Sequence, residues 1–230
     1  MISIVDNFFK DPDKIVDFAS SLKYKQSDGF YPGQRSEELH IAAPNFFNKT
    51  ILKILALYFD YNNTEVSYRN ANMYFQKIKP FDKNKKSILN EGLIHQDAYF
   101  NLAGVIYLNK KPDLNAGTSI YKNIKKLENE EEKHAKKKEL YKLKNMSKLD
   151  LKKYKNILLE CNKGFKETIK VSNIYNRLIF YPANTFHAGN YGVTKEILTL
   201  VFFIKNKDRI KHLTIIRKNA INPLKKKKIQ

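Results

Sequence analysis

Uninterrupted apolar runs and stretches of alternation divide this chain into elements before any motif is sought. Residues 102–109 are almost continuously apolar and too few for a buried helix, which predicts a strand covered on both faces. Residues 174–181 and 197–204 predict two more core strands on the same ground. Near-alternation of aromatic and polar residues over 66–76 predicts another, and Gly117-Thr118 opens one that ends at Tyr121. A further short strand is expected at 212–216. Two segments switch to helical spacing. Asp11-Pro12-Asp13 places an acid and a proline at a helix start, after which Ile15, Val16, Phe18, Ala19 and Leu22 make one apolar stripe. Ile51, Leu52, Leu55, Tyr58 and Phe59 make a second. The segment between them is expected to be irregular, with a tight turn at Tyr31-Pro32-Gly33-Gln34-Arg35. Residues 81–86 read as a solvated loop.

Residues 122–163 differ from their surroundings, with 14 lysines, seven acids and no proline. They predict a charged helical insertion. Ser147-Lys148-Leu149-Asp150 resembles a capping box, and Leu151, Tyr154, Leu158 and Cys161 fall on one face of the helix it would start. Such an insertion covers an active site, recruits a partner, or decorates the surface as a hairpin. The organisation expected is one domain over 1–230, with a helical support region at 1–65, the insertion at 122–163 and a basic tail at 206–230.

Composition narrows the class. A chain of 230 residues and 27.0 kDa with 42% hydrophobic content can bury one core. No stretch approaches the roughly 20 apolar residues of a membrane span, and the amino-terminal residues do not read as a signal peptide, so a cytoplasmic location is expected. Cys161 is the only cysteine, which excludes an internal disulfide and thiolate clusters; a metal must rely on His, Asp or Glu. The net charge of +20 invites a nucleic-acid partner. Only five of the 43 basic residues are arginine, however, the side chain better suited to bidentate phosphate and guanine contacts. Nucleic acid is therefore not the favoured partner, and Lys225-Lys226-Lys227-Lys228 reads as a solvated tail.

The candidate chemistry lies in His95-Gln96-Asp97 and in Phe186-His187-Ala188-Gly189. On extended backbone, residues two apart point to one face, so His95 and Asp97 can grip one ion, and His187 follows a strand-like run that can carry it to the same place. Two imidazoles and a carboxylate leave coordination positions open, as a non-heme Fe(II) oxygenase requires. The competing reading is that each histidine is an ordinary polar residue satisfied by a backbone carbonyl at a strand end.

These residues, with Val5-Asp6-Asn7-Phe8-Phe9, Tyr31-Pro32-Gly33-Gln34-Arg35-Ser36, Gly104-Val105-Ile106-Tyr107-Leu108-Asn109, Asn176-Arg177-Leu178-Ile179-Phe180-Tyr181-Pro182 and Leu198-Thr199-Leu200-Val201-Phe202-Phe203, resemble the Fe(II)- and 2-oxoglutarate-dependent oxygenases. Within them the likeness is to a prolyl-hydroxylase-like group of bacteria and phages. The resemblance implies an α+β fold whose core is a distorted double-stranded β-helix, jelly-roll-like and cupin-type, with flanking helices. It implies a dioxygenase that hydroxylates an unidentified small molecule or peptide while decarboxylating 2-oxoglutarate to succinate. The cofactors implied are Fe(II), 2-oxoglutarate and dioxygen, with ascorbate as an accessory reductant. His95, Asp97 and His187 become the catalytic metal ligands, with Asn101, Tyr99 and Tyr107 as pocket groups or partners for the imidazoles. The basic residue that opens the last core strand of the family, and pairs with the distal carboxylate of 2-oxoglutarate, is replaced here by Ile197. Lys195, sharing strand parity with Ile197, takes that role with Thr199 beside it, and Arg177 and Tyr107 are further co-substrate candidates. Arg35 and Tyr31 become substrate-side contacts.

Two other readings stay open. Ile197 fits a basic binding protein on the same barrel with no catalysis, and the net charge fits a nucleic-acid modifying oxygenase, although the second arginine signature of the demethylating branch is missing. The oligomeric state is not readable.

Overall fold

A computed structural model describes residues 2–26, 31–57, 68–80, 84, 87–97, 99–124, 148–191 and 195–206. In chain order these form β1 Ser3–Val5, α1 Pro12–Ser21, β2 Tyr24–Gln26, β3 Gln34–Ser36, α2 Leu39–Ala42, α3 Pro44–Ala56, β4 Tyr68–Ile78, a 3-10 turn Ile88–Asn90, β5 Leu102–Tyr107, β6 Thr118–Asn123, α4 Lys148–Asn162, β7 Phe165–Val171, β8 Leu178–Pro182, β9 His187–Gly189 and β10 Ile197–Asn206. Two antiparallel sheets hold the strands. The larger has the order β1-β8-β5-β10-β4-β3-β2 and the smaller β7-β6-β9.

Strand parity divides the larger sheet into two chemically different faces. Met73, Phe202, Gly104 and Phe180 lie in one cross-strand row, and Phe75, Leu200, Ile106 and Leu178 in the next. These rows are buried against α1, α2 and α3 through Ala19, Leu39, Phe47, Ile51, Ile54 and Leu55. Each fully buried Ile or Leu there contributes about 1.5–3 kcal/mol of transfer free energy. Proline at the first turn starts both α1 and α3, where its missing N–H has no helical partner to lose. Gly104 is needed beneath this layer, since a Cβ would lie 2.3 Å from the ring of Phe202.

The opposite face of the same strands is mixed. Arg35, Gln76, Thr199 and Tyr107 make one row, and Asn72, Phe203, Ala103 and Tyr181 another. Beside this face lies the smaller sheet, joined through the buried residues Ile120 and Val171 to Ala103, Tyr107, Ile179 and Tyr181.

Several expectations need correction. The segment between α1 and α3 carries regular elements: β2 and β3 pair antiparallel and extend the sheet, and Arg35 sits on β3 opposite Gln76. The eighth strand starts at Leu178 rather than at 174, because Asn176 takes a left-handed backbone (φ 63°). Its side chain brackets Phe9, accepting from the amide (2.8 Å) and donating to the carbonyl (2.8 Å). Strand β7 is unanticipated, since Lys166, Glu167, Thr168 and Lys170 along it are exposed and polar. Of the second apolar helical stripe, Ile51 and Leu55 are buried whereas Leu52 is half exposed. In α4, Tyr154, Leu158 and Cys161 are buried on one face, packing with Ile157 on Leu89 and Leu93. Most of the remaining insertion (125–147), Tyr58, Phe59, the 81–83 part of the solvated loop, the 212–216 strand and the basic tail from 207 onward lie outside the described residues. No helix among the described residues is long and apolar enough to cross a membrane.

Candidate metal centre

His95 and His187 face each other across an isolated antiparallel bridge, each amide donating to the other's carbonyl at 3.0 Å. The pairing brings the imidazole centroids within 4.4 Å. His187 is placed by β9, itself hydrogen-bonded to β6, whereas His95 lies in extended backbone that makes no strand of its own. The Asp97 amide donates to the Ala183 carbonyl (2.8 Å) and Phe100 closes a turn on the Asp97 carbonyl (2.9 Å), which aims the carboxylate back at the histidines. Asp97 Oδ2 lies 3.3 Å from His187 Nε2, and Oδ1 lies 3.7 Å from His95 Nε2. One ligand atom from each of the three residues falls within 4.8 Å of the others.

The tautomers follow from the partners. His95 Nδ1 is 2.8 Å from the Leu93 carbonyl, and His187 Nδ1 is 2.9 Å from the Thr185 carbonyl. A carbonyl only accepts, so each Nδ1 carries a proton, which leaves each Nε2 on the side of Asp97 as the ring atom available to an ion. The carbonyl contact of the competing reading is thus present in both rings, and it turns the other nitrogen of each toward the place an ion would take. The donor set, two imidazole nitrogens and a carboxylate, fits a divalent transition metal with open positions.

Two residues that sequence reasoning missed hold the His95 segment in place. Asn162, the last residue of α4, accepts from the Ile94 amide (2.9 Å) and donates to the Gly92 carbonyl (3.0 Å). Gly92 lies so close to β9 that a Cβ would sit 2.2 Å from the Gly189 carbonyl oxygen. Nothing local in the sequence marks either position, because their partners lie on distant segments.

A cavity of about 360 Å³ opens beside the triad, between the mixed face of the large sheet and the smaller sheet. Tyr181 packs on His187 with ring centroids 4.6 Å apart; burial, and then the charge of Asp97, push its phenol up, so it stays neutral. Tyr107 donates to Thr118 Oγ1 (2.7 Å), and Thr199 pairs with Tyr107 in register; all three line the cavity. Arg35 and Tyr31 line it too, with the guanidinium carbon 4.1 Å from the Tyr31 ring centre.

The other expected residues are elsewhere. Lys195 is exposed and outside the cavity, because β10 begins only at Ile197 and the parity that would aim Lys195 inward does not extend to it. Arg177 also lies outside, in a bidentate pair with Asp6 (2.6 and 2.8 Å). That pair raises the Arg177 pKa and lowers that of Asp6. Tyr99 is exposed, the backbone of Asn101 joins Ala183 and Ile204, and the Nδ1 atoms of the two histidines meet the Leu93 and Thr185 carbonyls.

Comparison with solved structures places the architecture. HygX from Streptomyces hygroscopicus, solved with nickel and 2-oxoglutarate, superposes with a TM-score of 0.56 at 12% identity, covering 90% of this chain and 83% of that one. A prolyl hydroxylase from Trichoplax adhaerens, in complex with a hypoxia inducible factor peptide fragment, gives 0.51 at 8% identity, covering 90% and 84%. The epimerase SnoN, in complex with Fe3+, alpha ketoglutarate and nogalamycin RO, gives 0.50 at 10% identity, covering 89% and 78%. At these identities the likeness is one of fold. No curated protein matches the chain in sequence. The two antiparallel sheets thus have the fold of the 2-oxoglutarate- and Fe(II)-dependent oxygenases, and the chain belongs to the family of unknown function DUF6445, which it matches over residues 1–197.

Proposed function

We propose that this chain is an Fe(II)- and 2-oxoglutarate-dependent dioxygenase that hydroxylates a small-molecule or peptide substrate and converts 2-oxoglutarate to succinate and carbon dioxide. The observation that carries this reading is the meeting of one ligand atom each from His95, His187 and Asp97 within 4.8 Å, beside a cavity of about 360 Å³. Bound ferrous iron, with 2-oxoglutarate and dioxygen, supplies the oxidising power for C–H hydroxylation. The protein's part is to hold and seclude. His95 and His187 give their Nε2 lone pairs while the Leu93 and Thr185 carbonyls keep Nδ1 protonated. Asp97 offsets part of the metal charge, and Tyr181 covers the His187 ring as a neutral phenol. Phe203, Val201 and Val105 present apolar wall that limits water near the reacting atoms. A small-molecule or peptide substrate is supported by neighbours of the same fold solved with hygromycin B and with a peptide fragment. The core is best described as a double-stranded β-helix.

The test is succinate release from 2-oxoglutarate under Fe(II) and ascorbate. The unaltered chain is expected to release succinate, and Asp97→Ala to abolish it together with tight Mn(II) binding. Undiminished succinate from Asp97→Ala would remove the ligand assignment. A chain that binds Mn(II) but never releases succinate would favour binding without catalysis on the same fold, the reading that Ile197 suggests.

A further inference from the structure

A carboxylate taken into a secluded cavity costs several kcal/mol unless a charged or multiply donating partner meets it. The start of β10, which the resemblance makes the place for that partner, cannot provide one. Ile197 is buried there in an apolar cluster with Ile78, Ala116 and Tyr191. Lys195 is turned out to solvent. Among the described residues lining the cavity, Arg35 is the single lysine or arginine.

Arg35 is also held as a built group. Its row across the sheet is Arg35, Gln76, Thr199 and Tyr107, so it shares a face with Thr199 and Tyr107 of the cavity wall. Its Nε donates to Gln76 Oε1 (3.1 Å), while Gln76 Nε2 donates to the Pro32 carbonyl (2.7 Å), which fixes the orientation of the Gln76 amide. The guanidinium carbon lies 4.1 Å from the ring centre of Tyr31, 5.1 Å from that of Tyr74 and 5.5 Å from that of Phe203. Three rings restrict the planar group, and a restricted fork is what two carboxylate oxygens require.

We propose that Arg35 supplies the counter-charge for the distal carboxylate of 2-oxoglutarate in this chain, in place of a basic residue at position 197. This inference rests on the cavity being a 2-oxoglutarate site and moves Arg35 from substrate contact to co-substrate anchor. Thr199 and Tyr107, on the same row, complete a polar wall beside it.

The experiment compares two acids on the full chain loaded with Mn(II): 2-oxoglutarate, and 2-oxopentanoate, which keeps the chelating end and carries a methyl in place of the distal carboxylate. Calorimetric titration of wild type and Arg35→Gln is expected to show 2-oxoglutarate weakened on the order of 10- to 100-fold, the loss of one charge-assisted pair, and 2-oxopentanoate unchanged. Arg35→Lys, which keeps the charge but not the fork, is expected to fall between the two and guards against a folding defect in the glutamine variant. Equal weakening of both acids, or no change in 2-oxoglutarate, would overturn the assignment. If neither acid binds the wild-type Mn(II) protein, the dioxygenase reading itself fails, which is a different result from loss of selectivity.

Discussion

The side chain of Asn162 stands in for a strand partner to Ile94, accepting the amide that precedes the His95 residue at 2.9 Å while donating to the Gly92 carbonyl at 3.0 Å. Between those two contacts lies Leu93, whose carbonyl fixes the His95 tautomer. The helix that carries Asn162 therefore determines where one imidazole of the triad points.

Asn162→Ala is expected to weaken Mn(II) binding about tenfold or more, the usual scale for a group that orients a ligand from outside the coordination sphere. Asn162→Asp keeps the acceptor but loses the donor to Gly92, and should recover part of the affinity. Titration of Mn(II) alongside thermal unfolding checks this. A lower melting temperature with unchanged affinity would mean that Asn162 serves the fold alone.

Gly92 and Gly189 should respond differently to the same methyl group. Gly92→Ala drives a Cβ to 2.2 Å from backbone, with no flexible side chain to give way, and is expected to cost about 1–3 kcal/mol and to separate the two histidine segments. Gly189→Ala meets only the Tyr191 ring at 3.8 Å and should be tolerated. Denaturant unfolding and Mn(II) titration on both variants distinguish them.

Arg177→Ala breaks the bidentate pair with Asp6, which ties the segment after β1 to the approach of β8. Asp6 is half exposed, so the expected loss is at most about 1 kcal/mol after screening. Affinity for 2-oxoglutarate should be unaltered, since Arg177 lies outside the cavity. A selective loss of 2-oxoglutarate binding would reinstate it as a co-substrate contact.

Alkali should unfold the chain through its buried phenols. Burial raises the pKa of both Tyr107 and Tyr154, so in the folded chain they keep their protons above the pH at which the unfolded chain releases them. Their contribution is fully present below about pH 10 and is lost as pH rises toward the folded values, at about 1.4 kcal/mol per pH unit for each. Urea unfolding on either side of about pH 10 should show a downward slope, and Tyr107→Phe should lower it by about 1.4 kcal/mol per pH unit.

Much of the strand content was legible because Leu102, Ile106, Leu200 and Phe202 sit in runs with no polar interruption, and the triad because His95 and Asp97 keep the spacing of one strand face. What could not be read was lateral register. Arg35 reaches the cavity only because β3 pairs with β4 at Gln76, a relation between segments some 40 residues apart. Lys195 fails for a local reason, a strand that starts two residues later than parity assumes. Asn176 shows the same weakness: its left-handed backbone separates Ile174 and Tyr175 from the strand, which begins only at Leu178.

The final helix of the lysine-rich stretch also limits how the protein can be shortened. Deletions that stop before Lys148 leave Asn162 and the Tyr154, Leu158 and Cys161 face intact. One that enters this helix strips the cover from Leu89 and Leu93 and releases the polypeptide just ahead of His95. What looks in composition like a dispensable ornament is thus anchored, at its far end, to the segment that carries His95.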